Sequence, residues 1–241
     1  MLIDALRKGI RRLGVDLVRF TPDLARPFEL VPVLLRDFVH SGEPVYIVQV
    51  GANDGSAFDP LTDSIRTHRI PALLVEPIPD LFERLRRTYE GLPDLIFENV
   101  AIAEDEGTRS FYRVAEGYSG PDHWQGLGSF DRGHLRRAGV PGRLIEELEV
   151  RTVPIGTLLD RHEIGGFTLL QVDTEGFDDH IVHSLLDTGR RPEIINFEHC
   201  HLPADRRHTL QRRLIDEGYR FLESWSDTTA TRDEKRFPGL Y

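Results

Sequence analysis

Short apolar runs alternate with amphipathic segments along most of this chain. The apolar runs have the length and composition of strands, and the segments between them carry apolar residues at helical spacing. The predicted strands are residues 45–50, 72–76, 95–102, 167–173, 193–198, 219–225 and 228–232, and the predicted helices are 58–69, 79–89, 155–161, 177–186 and 204–217. This alternation indicates parallel βαβ units, with the last strand antiparallel.

Two segments depart from this pattern. Residues 1–43 hold two amphipathic helical stretches that precede the first strand, and they predict a helical extension that covers the sheet or pairs two subunits. Residues 106–153 hold two extra strands, 108–114 and 149–153, and helical stretches at 131–138 and 142–148. A long excursion of this kind is functional or disordered, and its aromatic residues argue against disorder. We therefore predict a single domain, 1–241, with a substrate-side insertion.

Composition narrows the class of protein. The net charge is −10 over 241 residues, which opposes binding to nucleic acid or to anionic membranes. The single cysteine, Cys200, excludes an intrachain disulfide and lacks an activating motif, so a buried thiol is expected. Because no signal core or run of transmembrane length is present, we expect a cytoplasmic protein without an integral membrane segment. Only two of the 30 basic residues are lysines, which indicates a GC-rich bacterial genome.

A small-residue turn follows the first strand, with Gly51, Asn53 and Gly55 at its key positions. Its spacing differs from the G-x-G-x-x-G pattern that cradles a pyrophosphate, although asparagine tolerates the left-handed backbone that such a turn needs. The second strand ends on Glu76, where a carboxylate that binds ribose hydroxyls is expected. An adenosyl ligand without a pyrophosphate fits this arrangement, and S-adenosylmethionine is the common one.

Ionisable side chains gather after the fourth and fifth predicted strands. Because the carboxyl ends of parallel strands meet at one edge of the sheet, these residues should converge near the glycine turn. They are Asp173, Glu175, Glu198, His199 and His201. Two roles stay open: general base on a substrate hydroxyl, or a divalent ion held by Asp173, Glu198 and a histidine. An oxygen-rich set favours Mg²⁺ or Mn²⁺ over Zn²⁺. His134 lacks ligand spacing and reads as a solvated or core histidine.

Four motifs in order resemble the FkbM family of S-adenosylmethionine-dependent methyltransferases. They are Val50-Gly51-Ala-Asn53-Asp54-Gly55, Val75-Glu76-Pro77, Asp173-Thr-Glu175-Gly176 and Ile195-Asn-Phe-Glu198, and the resemblance covers about residues 45–225. It implies a Rossmann-like class I methyltransferase fold, an α/β three-layer sandwich with a seven-stranded, mostly parallel sheet of order 3-2-1-4-5-7-6. It also implies O-methyl transfer to a hydroxyl of a sugar, glycoside or secondary metabolite. The acid that usually opens the first motif is Gln49 here.

The motifs, the sheet-edge cluster and the family resemblance together predict roles for individual residues. Cofactor contacts are predicted for Gln49, Gly51, Asn53, Gly55, Glu76 and Asn99, and catalysis for Asp173, Glu198 and His199. Substrate contacts are predicted for Tyr118, His123, Trp124 and Glu175, and metal binding for Asp173, Glu198 and His201. Expected ligands are S-adenosylmethionine, a small-molecule or glycosyl acceptor and Mg²⁺. The alternatives are a nicotinamide oxidoreductase and a non-catalytic binding module of the same fold.

Overall fold

The computed structural model describes residues 30–56, 59–118, 120–121, 124 and 126–234. The strands are β1 Ile47–Val50, β2 Ala72–Val75, β3 Leu95–Glu98, β4 Ala101–Ile102, β5 Gly107–Val114, β6 Gly128–Ser129, β7 Ile145–Val153, β8 Leu169–Val172, β9 Ile194–Glu198, β10 Arg220–Glu223 and β11 Asp227–Thr231. The helices are α1 Leu30–Ser41, α2 Thr62–His68, α3 Pro79–Thr88, α4 Arg132–Arg137, α5 Ile155–Arg161, α6 Asp178–Asp187 and α7 Ala204–Asp216. A short 3₁₀ helix, Gly142–Leu144, precedes β7.

Seven strands form the main sheet, in the order β3-β2-β1-β8-β9-β11-β10. Strands β3, β2, β1, β8 and β9 pair in parallel with one another, and β11 is antiparallel to both β9 and β10. Counted within this sheet alone, the order reads 3-2-1-4-5-7-6. The labels β8 to β11 differ from the numbers 4 to 7 of the expected order, because the four strands of a second sheet come between β3 and β8 in the chain.

Helices cover both faces of the main sheet. Successive strand residues point to opposite faces, so Val48 and Val50 face one core while Ile47 faces the other. The first core packs against α5, α6 and α7, and the second against α1, α2 and α3. Both cores consist largely of fully buried aliphatic side chains, each of which stabilises the fold by about 1.5–3 kcal/mol. The result is a three-layer α/β arrangement.

A second sheet lies between β3 and β8 in the chain, with the order β4-β7-β5-β6. Its main feature is the antiparallel pair β5 and β7, which stays in register from Gly107↔Thr152 to Val114↔Ile145. This sheet and α4 enclose a core of their own, formed by Val114, Leu127, Leu135, Val140 and Ile145. The second sheet also joins the main fold, since Ile102 and Val153 belong to the first core of the main sheet and Phe111 packs with Ile78.

Two predicted element types differ from the structure. The predicted strand 95–102 divides into β3, which belongs to the main sheet, and β4, which belongs to the second sheet. The predicted helix 142–148 is wrong, because only its first turn is helical and Ile145 already begins β7. Pairing along the whole of β5 outweighs the helix-like spacing of apolar residues there.

Only part of the predicted N-terminal helical extension, residues 1–43, lies within the described residues. Helix α1 lies on the main sheet, with Val31, Leu34, Leu35 and Phe38 buried. The helical stretch predicted near the N-terminus lies outside the described residues. Within the described ranges, none of the helices combines the length and apolar character needed to cross a bilayer.

Candidate active site

The glycine turn after β1 and the end of β2 are tied together by hydrogen bonds. Asn53 has a left-handed backbone, with φ of 50°, as its residue type predicts. Its backbone N–H donates to Glu76 Oε2 at 2.9 Å, and the backbone N–H of Ile78 donates to Glu76 Oε1 at 2.8 Å. The carboxylate is thus held in a single orientation at the carboxyl edge of the sheet.

Glu76 is buried and lines a cavity at this edge. Burial raises its pKa to about 7, although the hydrogen bonds from Ile78 and Asn53 oppose the rise. Each carboxylate oxygen accepts one backbone N–H and keeps a further lone pair for another donor. The side chain is therefore placed to receive two ligand hydroxyls.

Gly51 allows β1 and β8 to end close together. An added Cβ would lie 1.8 Å from the backbone oxygen of Asp173, and φ is +82°. Gly51→Ala should lower the free energy of unfolding by about 3 kcal/mol or more, because overpacking adds to backbone strain. Denaturant unfolding measures this, with Gly165→Ala as control, since a Cβ there meets no atom within 4 Å. Equal stability of the two variants would contradict the close approach.

The cavity has a volume of about 240 Å³ and lies between the glycine turn and the second sheet. Three aromatic rings line one side in edge-to-face contact, with centroids 5.1 Å apart for Phe111 and Phe130 and 5.4 Å apart for Phe130 and Phe177. Gly126 of the second-sheet segment approaches the Asn53 side chain so closely that a Cβ would lie 1.9 Å from Asn53 Nδ2. The second-sheet segment therefore closes the cavity against the turn.

One end of the cavity is polar and rich in acceptors. Gln49 and Asp59 line it, and Gln49 Nε2 donates to Asp59 Oδ1 at 3.2 Å. Gln49 Oε1 is buried and has no hydrogen-bond partner among the described residues. Gln171, which faces Gln49 across β1 and β8, accepts a hydrogen bond from Asn196 Nδ2 at 3.0 Å and is thereby oriented. Burial raises the pKa of Asp59, although hydrogen bonds from Leu61, Thr62 and Gln49 oppose the rise.

Asp173 is exposed toward the cavity, directly beside the glycine turn. Its backbone N–H donates to the Val50 oxygen at 3.0 Å, which continues the pairing of β8 with β1. Desolvation by the surrounding protein, followed by repulsion from the carboxylates of Glu198 and Glu175, raises the pKa of Asp173 well above its usual range. Carboxylate oxygens of these three acids lie within 4.8 Å of one another.

A buried carboxylate, Asp178, joins the ends of β8 and β9. Its Oδ2 accepts hydrogen bonds from the Thr174 hydroxyl at 2.9 Å and from the Gly176 backbone N–H at 3.3 Å. Its Oδ1 accepts from the backbone N–H of Glu198 at 3.2 Å. Burial raises the pKa of Asp178 to about 7. This residue fixes the relative positions of the two acidic strand ends.

Two histidines meet the acidic strand ends. His134 lies on α4, which begins after Asp131, whose side chain accepts a hydrogen bond from Gly133. His134 Nε2 is 2.9 Å from Glu175 Oε2, and His201 Nε2 is 3.2 Å from the same oxygen. Helix α4 of the insertion and the turns after β8 and β9 therefore contribute side chains to one polar cluster.

A family model described as the Methyltransferase FkbM domain matches residues 49–225, which is more than half of the chain. The chain belongs to the FkbM methyltransferase family. This membership agrees with the resemblance of the four motifs and does not support the nicotinamide oxidoreductase alternative. No match was found among curated proteins.

The solved structures similar to this chain have low sequence identity to it. A METTL16 MTase domain has 9% identity and a TM-score of 0.43, over 83% of this chain and 64% of that chain. An O-methyltransferase from Bacillus cereus in complex with SAH has 11% identity and a TM-score of 0.42, over 95% and 89%. A ribosomal protein L11 methylase from Lactobacillus delbrueckii subsp. bulgaricus has 10% identity and a TM-score of 0.39, over 91% of each chain. The chain thus spans less than two thirds of the first of these.

Several predicted site residues of this family member lie outside the cavity. Asn99 does not line the cavity, and its Nδ2 donates to the backbone oxygens of Glu76 and Pro77 at 2.8 and 3.1 Å. It therefore holds the strand end that carries Glu76. His199 is buried, and its Nδ1 lies 3.0 Å from Thr228 Oγ1. Alternation along the strand turns it away from Glu198 and from the cavity.

The predicted substrate residues of the insertion pack against its own core. Tyr118 and Trp124 contact each other with centroids 6.0 Å apart, and Trp124 Nε1 donates to the Ala138 oxygen at 3.2 Å. Neither lines the cavity, and His123 lies outside the described residues. Glu175 does line it. Cys200 is exposed rather than buried, because it lies in the turn after β9.

The metal ligands predicted from the sequence are divided between clusters. Among the described residues, Asp173 groups with Glu175 and Glu198, whereas His201 groups with His134 and Glu175 or with Glu198 and Cys200. Asp59, Gln171, Asp178 and the three phenylalanines of the cavity were not predicted. The role of Asp178 could have been predicted, since it stands at the start of a predicted helix, where an acidic side chain can accept hydrogen bonds from the preceding turn. The others depend on contacts between distant segments.

Proposed function

We propose that this protein transfers a methyl group from S-adenosylmethionine to a hydroxyl group of a sugar, glycoside or secondary metabolite. The observation that carries the proposal is an accessible carboxylate, Asp173, beside a glycine turn whose Asn53 is anchored to a buried Glu76. The turn and Glu76 suit the adenosyl part of the donor. Asp173 suits removal of a proton from an acceptor that enters from the second-sheet side.

The donor would lie across the carboxyl edge of the main sheet. Glu76 would accept hydrogen bonds from the two ribose hydroxyls, which are donors that a carboxylate receives well. The apolar cavity side with Ile78, Phe111 and Phe130 suits an aromatic base or an apolar acceptor surface. Methyl transfer is an in-line displacement, so holding donor and acceptor in line supplies much of the rate.

Asp173 is the proposed general base. In the reaction it would take the proton of the acceptor hydroxyl while the oxygen attacks the methyl carbon and the sulfur keeps the electron pair of the broken bond. A positioned base of this kind contributes roughly 10²–10⁴-fold to a rate. Asp173 is assigned as the base because its carboxylate is accessible from the cavity, not because of its pKa. Glu198 would position Asp173 and influence it through its own negative charge.

The acceptor-rich end of the cavity suits the amino-acid part of the donor. A positively charged ammonium would pair with Asp59 and donate to the unpartnered Gln49 Oε1. Asp59 would thereby replace the acid that usually occupies position 49.

Asp59→Asn should weaken binding of S-adenosylhomocysteine about tenfold or more, because a hydrogen bond to a charged group is worth about 1.5–3 kcal/mol. Binding of 5′-methylthioadenosine, which lacks the amino-acid part, should stay unchanged. Titration calorimetry with both ligands makes the comparison. Equal loss for both would show that Asp59 only supports the fold.

The direct test uses the purified chain, isotope-labelled S-adenosylmethionine and a panel of hydroxylated glycosides and natural products. Mass spectrometry should find a methyl ether that survives mild base, whereas a labile product would indicate a carboxyl ester. Donor binding without transfer to any acceptor would instead favour the non-catalytic module.

A further inference from the structure

The two histidines of the polar cluster converge on one carboxylate oxygen. His134 Nε2 and His201 Nε2 lie 2.9 and 3.2 Å from Glu175 Oε2. Their rings are 4.7 Å apart and almost perpendicular, at 87°. His201 Nε2 is also 3.5 Å from Glu198 Oε2. The ligand-type atoms of His134, Glu175 and His201 therefore all lie within 4.8 Å of one another, and Glu198 adjoins this group through His201.

The basic partners of Glu175 and Glu198 among the described residues are histidines. Within the described part of the chain, no arginine or lysine forms an ion pair with Asp173, Glu175 or Glu198. Glu198 Oε2 is buried, and no described group gives it a hydrogen bond. A buried carboxylate oxygen without a partner is costly, and a bound cation would satisfy it.

The distances suit a tetrahedral ion. Metal bonds of about 2.0–2.2 Å to imidazole nitrogen and carboxylate oxygen place neighbouring ligand atoms about 3.3–3.6 Å apart. The three contacts of 2.9, 3.2 and 3.5 Å lie close to this separation. Two imidazoles favour zinc-like transition metals, while Mg²⁺ prefers an octahedron of oxygens.

We propose that His134, Glu175 and His201 form a binding site for a divalent transition metal of the zinc class, with Glu198 beside His201 as the candidate fourth ligand. The ion would connect α4, which belongs to the insertion, with the turns after β8 and β9. With Glu198 as the fourth ligand the site would be closed, which is characteristic of structural rather than catalytic zinc. Its function would be to fix the second sheet over the cavity. The assignment stands whether or not the protein transfers methyl groups.

Calorimetric titration of the chelator-treated full chain with ZnCl₂ tests the site. We expect one ion per chain with micromolar or tighter affinity, undisturbed by excess MgCl₂. His134→Gln and His201→Gln should each weaken binding by about tenfold or more, since each removes a direct ligand. His208→Gln is the matched control, because His208 is exposed on α7 and outside these clusters. Its affinity should equal that of the wild type.

Other outcomes overturn the proposal. These are absence of zinc binding, full affinity in both histidine variants, or displacement of zinc by Mg²⁺. Cys200 groups with Glu198 and His201, so Cys200→Ser separates the two ligand sets. If Cys200→Ser binds zinc with the wild-type affinity, the assignment is supported. If its zinc affinity falls, the Cys200 thiol rather than the His134 imidazole is a ligand. Circular dichroism checks the fold of each variant, and Co²⁺ absorption reports tetrahedral coordination independently and should weaken in His201→Gln.

Discussion

Asp173→Asn is expected to reduce methyl transfer by about 100-fold or more while donor binding persists, because the amide cannot accept the acceptor's proton. The substitution preserves the size of the side chain. It also removes one of three acidic groups whose mutual repulsion acts at the cavity floor, so the fold should not lose stability. Single-turnover kinetics with S-adenosylmethionine and an accepted substrate measures the effect.

Asp216→Asn is the matched control, since Asp216 is exposed on α7 and does not line the cavity. It should transfer at the wild-type rate. If Asp173→Asn also transferred at that rate, Asp173 would have no part in the chemistry. If instead donor affinity fell with the rate, the residue would act in binding.

Glu76→Gln is expected to weaken binding of S-adenosylhomocysteine at pH 8 by about 10–100-fold, because hydrogen bonds to a charged group are worth about 1.5–3 kcal/mol. The wild type should also respond to pH. Its carboxyl group has a pKa of about 7, and the ligand hydroxyls favour the ionised form. Affinity should therefore rise from pH 6 to pH 8, and at pH 6 it should be about tenfold below its upper limit.

The variant should lose this part of the pH dependence, because the amide does not titrate. Glu90→Gln, an exposed residue after α3, should keep both the affinity and the profile of the wild type. Titration calorimetry with S-adenosylhomocysteine at four pH values measures these profiles for the wild type and both variants. A wild-type profile that persists in Glu76→Gln would assign the titration to another group and remove Glu76 from ribose binding.

The sequence predicted the main sheet well because its signals are local. Each parallel strand is a short apolar run, and Asn53 adopts the left-handed backbone that its residue type tolerates. The error at β7 has a physical cause. Leu144, Ile145 and Leu148 have helical spacing, but the partner strand that decides their conformation lies about 30 residues earlier in the chain. Pairing of that kind has no local signature.

The site was less predictable, because several of its residues meet only through tertiary packing. Glu76 and Asp173 follow strands directly, so the sheet edge places them. His134 is 41 residues before Glu175 and reaches it from a helix of the insertion. Tyr118 and Trp124 are aromatic residues of the same segment, yet they fill its core. Composition predicted aromatic contacts there, but only the packing distinguishes Phe111 and Phe130 from them.

Part of the second sheet has an apolar core of its own, formed with α4. Its other part shares buried residues with the main fold, since Ile102 and Val153 belong to the core of the main sheet and Phe111 packs with Ile78. Substitutions in the core with α4 can therefore be accommodated within the insertion, whereas substitutions at the shared positions also disturb the main fold. The boundary between tolerant and constrained positions thus runs through the second sheet rather than around it.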